Sequence, residues 1–499
     1  MKNKQIRRLL IITAAIGFLM LLLNAYVGVA EINAQEQSGW SHPFQISTAG
    51  RTASRGFPVS DAYGYVHLLW YEVNPDDDRT VIQYSRYDGT SWSVPIDLHI
   101  TLPNIPIVSL SPYIDEDQNL HLLWSQGFTG MTQVYYMEVP AFYADQFENW
   151  SKPIRARLVP NDVRLIVGKD GTLHLLYTKI SGPDAGVYYT DSTDNGLSWS
   201  DSEWLDPDIP PFNIPNSLEF KMDGSGGLHG SWFYADTAEG GGNWVRYSHS
   251  LDGSRDWSAP ITIAQIPEDD DINTLDAAGP VMAVSGDTIH LIYTGGTFHF
   301  RNHTYSTDQG NTWTDHLRIF GDLQGQAFES LITDDIGRIH YFGQIRYPTG
   351  IYHAVWENGG WSPTELLYLI KSDSEDSIGD RIHAHHVYPA IRDGDQVVIT
   401  FADPPPTDGR RLFSMTGVLA GADHQTPIPP PTPVATPTVV APTAPAAGIT
   451  STAPPFDREI SASEQAGPPR GIITAGLLSP IVLLVLAIII RMVQVRSNR

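Results

Sequence analysis

The sequence contains no cysteine. Disulfides, thiolate metal sites and cysteine nucleophiles are excluded together. Basic charge is scarce as well: 31 Lys and Arg stand against 56 Asp and Glu, a net charge of −25. Seven of the basic residues lie at the ends, as Lys2, Lys4, Arg7 and Arg8 in residues 1–30 and Arg491, Arg496 and Arg499 in residues 471–499, with no acid in either stretch. The middle therefore carries 24 basic residues against all 56 acidic ones, a net of −32. A surface that acidic repels phosphate backbones, which disfavours nucleic acid as a partner. Long apolar runs are missing everywhere except in the same two ends.

Those ends read as addresses. The apolar run Leu9–Leu23 follows a basic start, and small residues recur at Gly28, Ala30 and Ala34. This is the pattern of a secretory signal over residues 1–34, cleaved after Ala30 or Ala34, or of an uncleaved anchor. At the other end Ile472–Ile490 has no charge and matches the length needed to cross a bilayer. Arg491, Arg496 and Arg499 follow it and place a short tail, 492–499, in the cytoplasm. Residues 421–470, rich in Pro, Thr and Ala, cannot bury a core and predict an extended stalk. The expectation is a single-pass cell-membrane protein, anchored by 471–491, with its body outside the cell.

The body, 38–420, repeats. A turn, a His and an apolar triplet recur at His67, His121, His174, His229, His290 and His340, and a His-less copy ends at Phe401. Downstream of the His copies lies a Tyr-Ser-type strand, a Gly-containing turn and a Trp, at Trp92, Trp150, Trp199, Trp257, Trp313 and Trp361. One more Trp unit, Trp40-Ser-His-Pro43, precedes the first His, and the last repeat has none. Both oddities vanish if the N-terminal segment supplies the outer strand of the last repeat and closes a ring. The fold class is all-β, a β-propeller of four-stranded blades. Seven blades fit the counts, or six if one repeat is an insertion. A monomer without cofactor is expected.

Two turns sharpen this. Ser192-Thr-Asp194-Asn-Gly196-Leu-Ser198-Trp199 and Ser306-Thr-Asp308-Gln-Gly310-Asn-Thr312-Trp313 resemble the Asp box of bacterial-neuraminidase repeats. In such turns Asp accepts backbone N–H bonds, Gly supplies positive φ and Trp packs below. The body is thereby identified as similar to sialidase-like propellers. The resemblance implies structural roles for Asp194, Gly196, Trp199, Asp308, Gly310 and Trp313. It also implies a functional face opposite the turns, built from the loops between blades and between the second and third strands.

That loop face carries the candidate contacts Glu72, Arg79, Tyr234, Trp244, Arg301 and Arg381. A sialidase needs an Arg cluster to clamp a carboxylate, an acid for the leaving oxygen and a Tyr activated by Glu. Arg55-Gly-Phe-Pro58 is similar to the family's first Arg motif, and Asp77, between Asp76 and Asp78, falls where the family keeps its acid. Glu329 and Arg346 have a similar spacing to a later Glu–Arg pair, and Arg410 or Arg411 could supply a third Arg. The nucleophile is missing, because the matching strand end reads Thr400-Phe401. The expectation is a propeller that binds a glycan or an extracellular protein, with a sialidase-like exo-glycosidase acting on cell-surface or host sialoglycans as the alternative.

The His column sits on a middle strand and predicts packing plus a hydrogen bond to the neighbouring blade rather than a metal ring. His383-Ala-His385-His386 breaks the repeat, but no metal site is assigned there. Asp115-Glu-Asp117 lacks the rest of a calcium loop and reads as a turn.

Overall fold

The computed structural model describes residues 39–431, apart from 208–212, 237–241, 254, 266–276, 297–298, 322, 370–384 and 404–409. Among these residues the strands form seven antiparallel sheets, each with four strands in series. The inner strands are Phe57–Ser60, Ile107–Ile114, Val163–Val167, Asn213–Met222, Ala278–Ser285, Gln324–Thr333 and His385–Arg392. Each contacts the next, and the last contacts the first, so the sheets are blades of one closed ring. The count is seven, not six. The ring closes as the odd Trp units predicted: Phe44 and Gln45 pair with Ser414 and Phe413 as the outer strand of blade 7. No helix among the described residues is long and apolar enough to cross a membrane, and the segments expected to do so, 1–34 and 471–491, lie outside them.

The apolar triplets follow from position. The second strand of a blade is covered on both faces by its neighbours, so its residues need not alternate. Val66 to Trp70 are all buried, as are Leu120 to Trp124. Trp70, Trp124 and Trp232 are fully buried, each burial worth about 1.5–3 kcal/mol. The inner strand is an edge facing the axis, where a missing N–H breaks no ladder bond. It accordingly tolerates Pro58, Pro112, Pro215, Pro280 and Pro389.

Each outer-strand Trp stitches its blade to the one before. Trp150 packs edge-on to Tyr84 with ring centres 6.0 Å apart, Trp257 meets Tyr189 at 5.2 Å and Trp313 meets Tyr247 at 4.9 Å. Trp40 does the same for the closing blade against His353, at 6.0 Å. Trp92 completes the circuit, its indole N–H donating to the Ser414 hydroxyl at 2.9 Å.

The His column has a different role from the one expected. Its hydrogen bonds stay within each blade instead of crossing to the next. The Asp61 carboxylate lies 3.0 Å from His67 Nε2, and the Tyr84 hydroxyl is 2.8 Å from Nδ1. A carboxylate can only accept, so Nε2 donates to Asp61 and Nδ1 accepts from the tyrosine. The arrangement recurs with Asp223, His229 and Tyr247. In blade 2 the Asp115 carboxylate again lies 3.0 Å from His121 Nε2 and the Tyr136 hydroxyl 2.7 Å from Nδ1, but that hydroxyl donates to Glu138 at 2.6 Å. Blades 5 and 6 replace the tyrosine by a second histidine: His290 Nδ1 meets His303 Nε2 at 3.1 Å, and His340 Nδ1 meets His353 Nε2 at 3.0 Å. Blade 7 replaces both partners at once, with buried Val397 and Met415 at the matching register. Removing both halves of a buried polar pair together leaves nothing unsatisfied.

The two Asp-box-like turns bind themselves. Asp194 accepts the Ser198 N–H at 2.8 Å and its hydroxyl at 2.6 Å, and Asp308 does the same with Thr312 at 2.8 and 2.6 Å. These bonds hold Asp308 down to about 2. Gly196 and Gly310 have φ of +78° and +89°, and each lies against a tyrosine of the preceding blade, Tyr136 and Tyr247. The first residues of the expected stalk lie along this same turn face. Ile428 N–H donates to the Ala62 carbonyl at 2.9 Å and Gln425 N–H to that of Asp393 at 2.7 Å.

Candidate binding site at the loop face

The inner strands surround an axial channel whose main cavity is about 390 Å³, lined largely by apolar side chains and by Pro58, Pro112 and Pro389. Towards the loop face a second cavity of about 330 Å³ adjoins it, sharing Arg164, Glu219 and Tyr388, and its wall is charged. Arg55, Asp162, Arg164, Glu219, Glu329 and Tyr388 line this mouth. All six come from the inner strands or the residues just before them.

The mouth is held by a short network. Arg164 Nη1 donates to Asp162 Oδ1 at 2.6 Å, and the Ser109 hydroxyl donates to the same oxygen at 2.6 Å. Burial opposes ionisation of Asp162. The Arg164 and Arg55 guanidiniums outweigh it and keep the carboxyl below its ordinary value. Arg55 donates to the Tyr388 hydroxyl at 3.4 Å and has no carboxylate within 4.0 Å among the described residues. Arg164 is committed to Asp162, whereas Arg55 keeps its charge available.

On the opposite wall Glu329 accepts Arg301 Nε at 2.5 Å and the Tyr341 hydroxyl at 2.8 Å. Arg301 and Tyr341 are fully buried, and burial raises the Tyr341 phenol well above its ordinary value. Tyr341 is also sealed by Phe320, 4.5 Å away between ring centres. A Tyr–Glu pair thus exists, but its tyrosine is inside the wall.

Of the residues named from sequence, Arg55 and Glu329 share the mouth. Arg301 stands behind Glu329 rather than in the opening. Asp77 and Arg79 lie on an exposed hairpin, 3.6 Å from each other, and neither lines the mouth. Glu72 is fully buried, taking the Trp70 indole N–H at 2.9 Å and the Thr48 N–H at 2.8 Å, which ties the N-terminal segment to blade 1. Tyr234 is buried and donates to Asp206 at 3.0 Å, with Trp244 edge-on to it. Arg410 is exposed, and Arg411 lies over the Phe413 ring at 5.4 Å. Arg381, His383 and the side chains of Arg346, His385 and His386 fall outside the described residues. Among the described residues no group of three or more His, Asp or Glu is placed to hold a metal.

Asp162, Arg164, Glu219 and Tyr388 were missed. Their signal was the register of the inner strands: Tyr388 stands directly before the inner-strand Pro389, as Phe57 stands before Pro58. Aligning the inner strands with each other, as the His strands were aligned, brings these positions to one rim.

The fold and this mouth define a seven-bladed β-propeller with a charged opening on its loop face. No protein-family model matches the chain, and no curated protein matches its sequence. Solved structures match its fold. The polysaccharide lyase Uly1 superposes with a TM-score of 0.50 at 12% identity, over 76% of this chain and 100% of that one. An ulvan lyase of family PL25 gives 0.51 at 10% identity, over 74% and 95%. The Hadza microbial sialidase Hz136 gives 0.41 at 14% identity, over 70% and 76%. The propeller fold is what this chain shares with the two lyases.

Proposed function

We propose that the chain is a membrane-tethered, extracellular propeller that binds an acidic glycan at the loop-face mouth. The observation that carries this reading is Arg55, a guanidinium in the wall of a cavity with no carboxylate partner within 4.0 Å among the described residues. A sugar carboxylate supplies the missing partner through charge-assisted hydrogen bonds. The Tyr388 hydroxyl beside it offers a further polar contact, and the apolar channel below gives ring faces somewhere to rest. Binding is favoured over sialoside hydrolysis because the Tyr341–Glu329 pair is walled off from the cavity by its own burial.

The test is isothermal titration of the full chain with glucuronate- and sialate-bearing oligosaccharides. Binding is expected, and Arg55→Ala should weaken it by about 10- to 100-fold, the loss of about 1.5–3 kcal/mol of charge-assisted bonding. Unchanged affinity in Arg55→Ala refutes the assignment. Turnover of any of these sugars, abolished by Tyr388→Phe, replaces the binding reading with a catalytic one in which Tyr388 acts on the sugar.

A further inference from the structure

We infer that the turn face carries a second ligand site, for an uncharged saccharide, at the seam between blades 5 and 6. Two local departures from the repeat open it. In blades 1, 2, 4 and 6 the turn after the inner strand begins with Asp61, Asp115, Asp223 or Asp334, and each carboxylate sits 3.0–3.2 Å from the His of its own blade. Blade 5 instead makes a tight hairpin from Ser285 to Thr288, and no aspartate stands at the matching place beside His290. Secondly, the third strand of blade 6 carries Trp356 next to its end, where the same register in blades 3, 4 and 5 holds Ser192, Ser250 and Ser306. A short hairpin follows, with Asn358 and Gly359 at φ of 51° and 79°.

The result is a cavity of about 510 Å³ lined by His290, Tyr305, Thr307, Arg338, Trp356 and Glu357, among others. Trp356 and Tyr305 are half-buried and pack against each other as one aromatic wall, with ring centres 5.7 Å apart. Such a wall accepts the C–H face of a pyranose, while Thr307, Asn358 and His290 offer donors and acceptors for its hydroxyls. The charges argue for a neutral guest. Arg338 is already engaged, with Asp334 at 2.7 Å and the Ala420 carbonyl at 2.7 Å. Glu357 is exposed at the rim, so an anionic sugar meets a like charge. Selectivity is therefore opposite to that of the mouth, where Arg55 stands.

The experiment is calorimetric titration of the full chain with cellotriose, laminaritriose and maltotriose. At least one is expected to bind. Thr307→Arg, an exposed rim change that fills the cavity, should weaken it at least tenfold. Trp356→Leu should do the same, and the thermal midpoint of both variants reports whether the ring is intact. Arg55→Ala should leave this affinity unchanged, which separates the site from the mouth. No binding by any of the three, affinity that survives Thr307→Arg, or affinity that falls with Arg55→Ala each overturns the inference.

Discussion

The paired histidines of blades 5 and 6 make the ring sensitive to acid in a way that can be worked out. Burial pushes His290 and His340 down to about 4, and burial with the neighbouring His290 pushes His303 down to about 3. In the unfolded chain these groups titrate near an ordinary value of about 6.5. Both states are neutral above that pH, and the full stability is present. As pH falls below about 6.5 the unfolded chain takes up protons that the folded ring refuses. Stability then drops by up to about 1.4 kcal/mol per pH unit for each histidine, until the folded values are reached. Between about pH 6.5 and 4.5 each histidine costs roughly 2.5 kcal/mol, so the three together weaken the ring by several kcal/mol. The assay is the urea midpoint of the full chain across that range. His303→Tyr supplies the control, because four other blades carry Tyr84, Tyr136, Tyr189 and Tyr247 at the same register. It should remove about 2.5 kcal/mol of the acid loss while leaving a hydroxyl to meet His290. A midpoint that does not move between those pH values, or a pH dependence unaltered in His303→Tyr, refutes the reasoning.

Two further outcomes follow from the packing. Gly310→Ala forces a Cβ onto the Tyr247 ring while φ is +89°, so it should cost about 2–4 kcal/mol in a denaturant titration. Arg301→Ala leaves the Glu329 carboxylate in a buried wall with only the Tyr341 hydroxyl, and a loss of about 3–5 kcal/mol is expected by the same measurement. Arg301→Lys, which keeps the charge but not the fork, should recover part of it.

The ring was legible because its signals are local and repeated. His, the apolar triplet and Trp recur at nearly constant spacing, and the unmatched Trp40 unit announced the closing strand. The Asp-box-like turns were legible for the same reason, since Asp194 and Asp308 find their partners within four residues. The mouth was half legible. Arg55 and Glu329 were found through motif spacing, whereas Asp162, Arg164, Glu219 and Tyr388 meet only when blades 3, 4 and 7 are brought to one rim. Glu72 and Tyr234 looked like loop-face contacts because they end strands on that side, yet both turn inward to partners far along the chain, Thr48 and Asp206.

The sequence by itself determined the absence of cysteine chemistry, the acidic body and the repeated blade unit with its inside and outside. These depend on composition and on short-range periodicity. The tertiary structure decided what each histidine bonds to, where Arg301 and Glu329 pair across a blade seam, and that Arg55 keeps a free charge at the channel mouth. Those outcomes depend on which blades become neighbours and on how deeply a side chain is buried. No single repeat contains that information, because each blade's faces are completed only by the blades beside it.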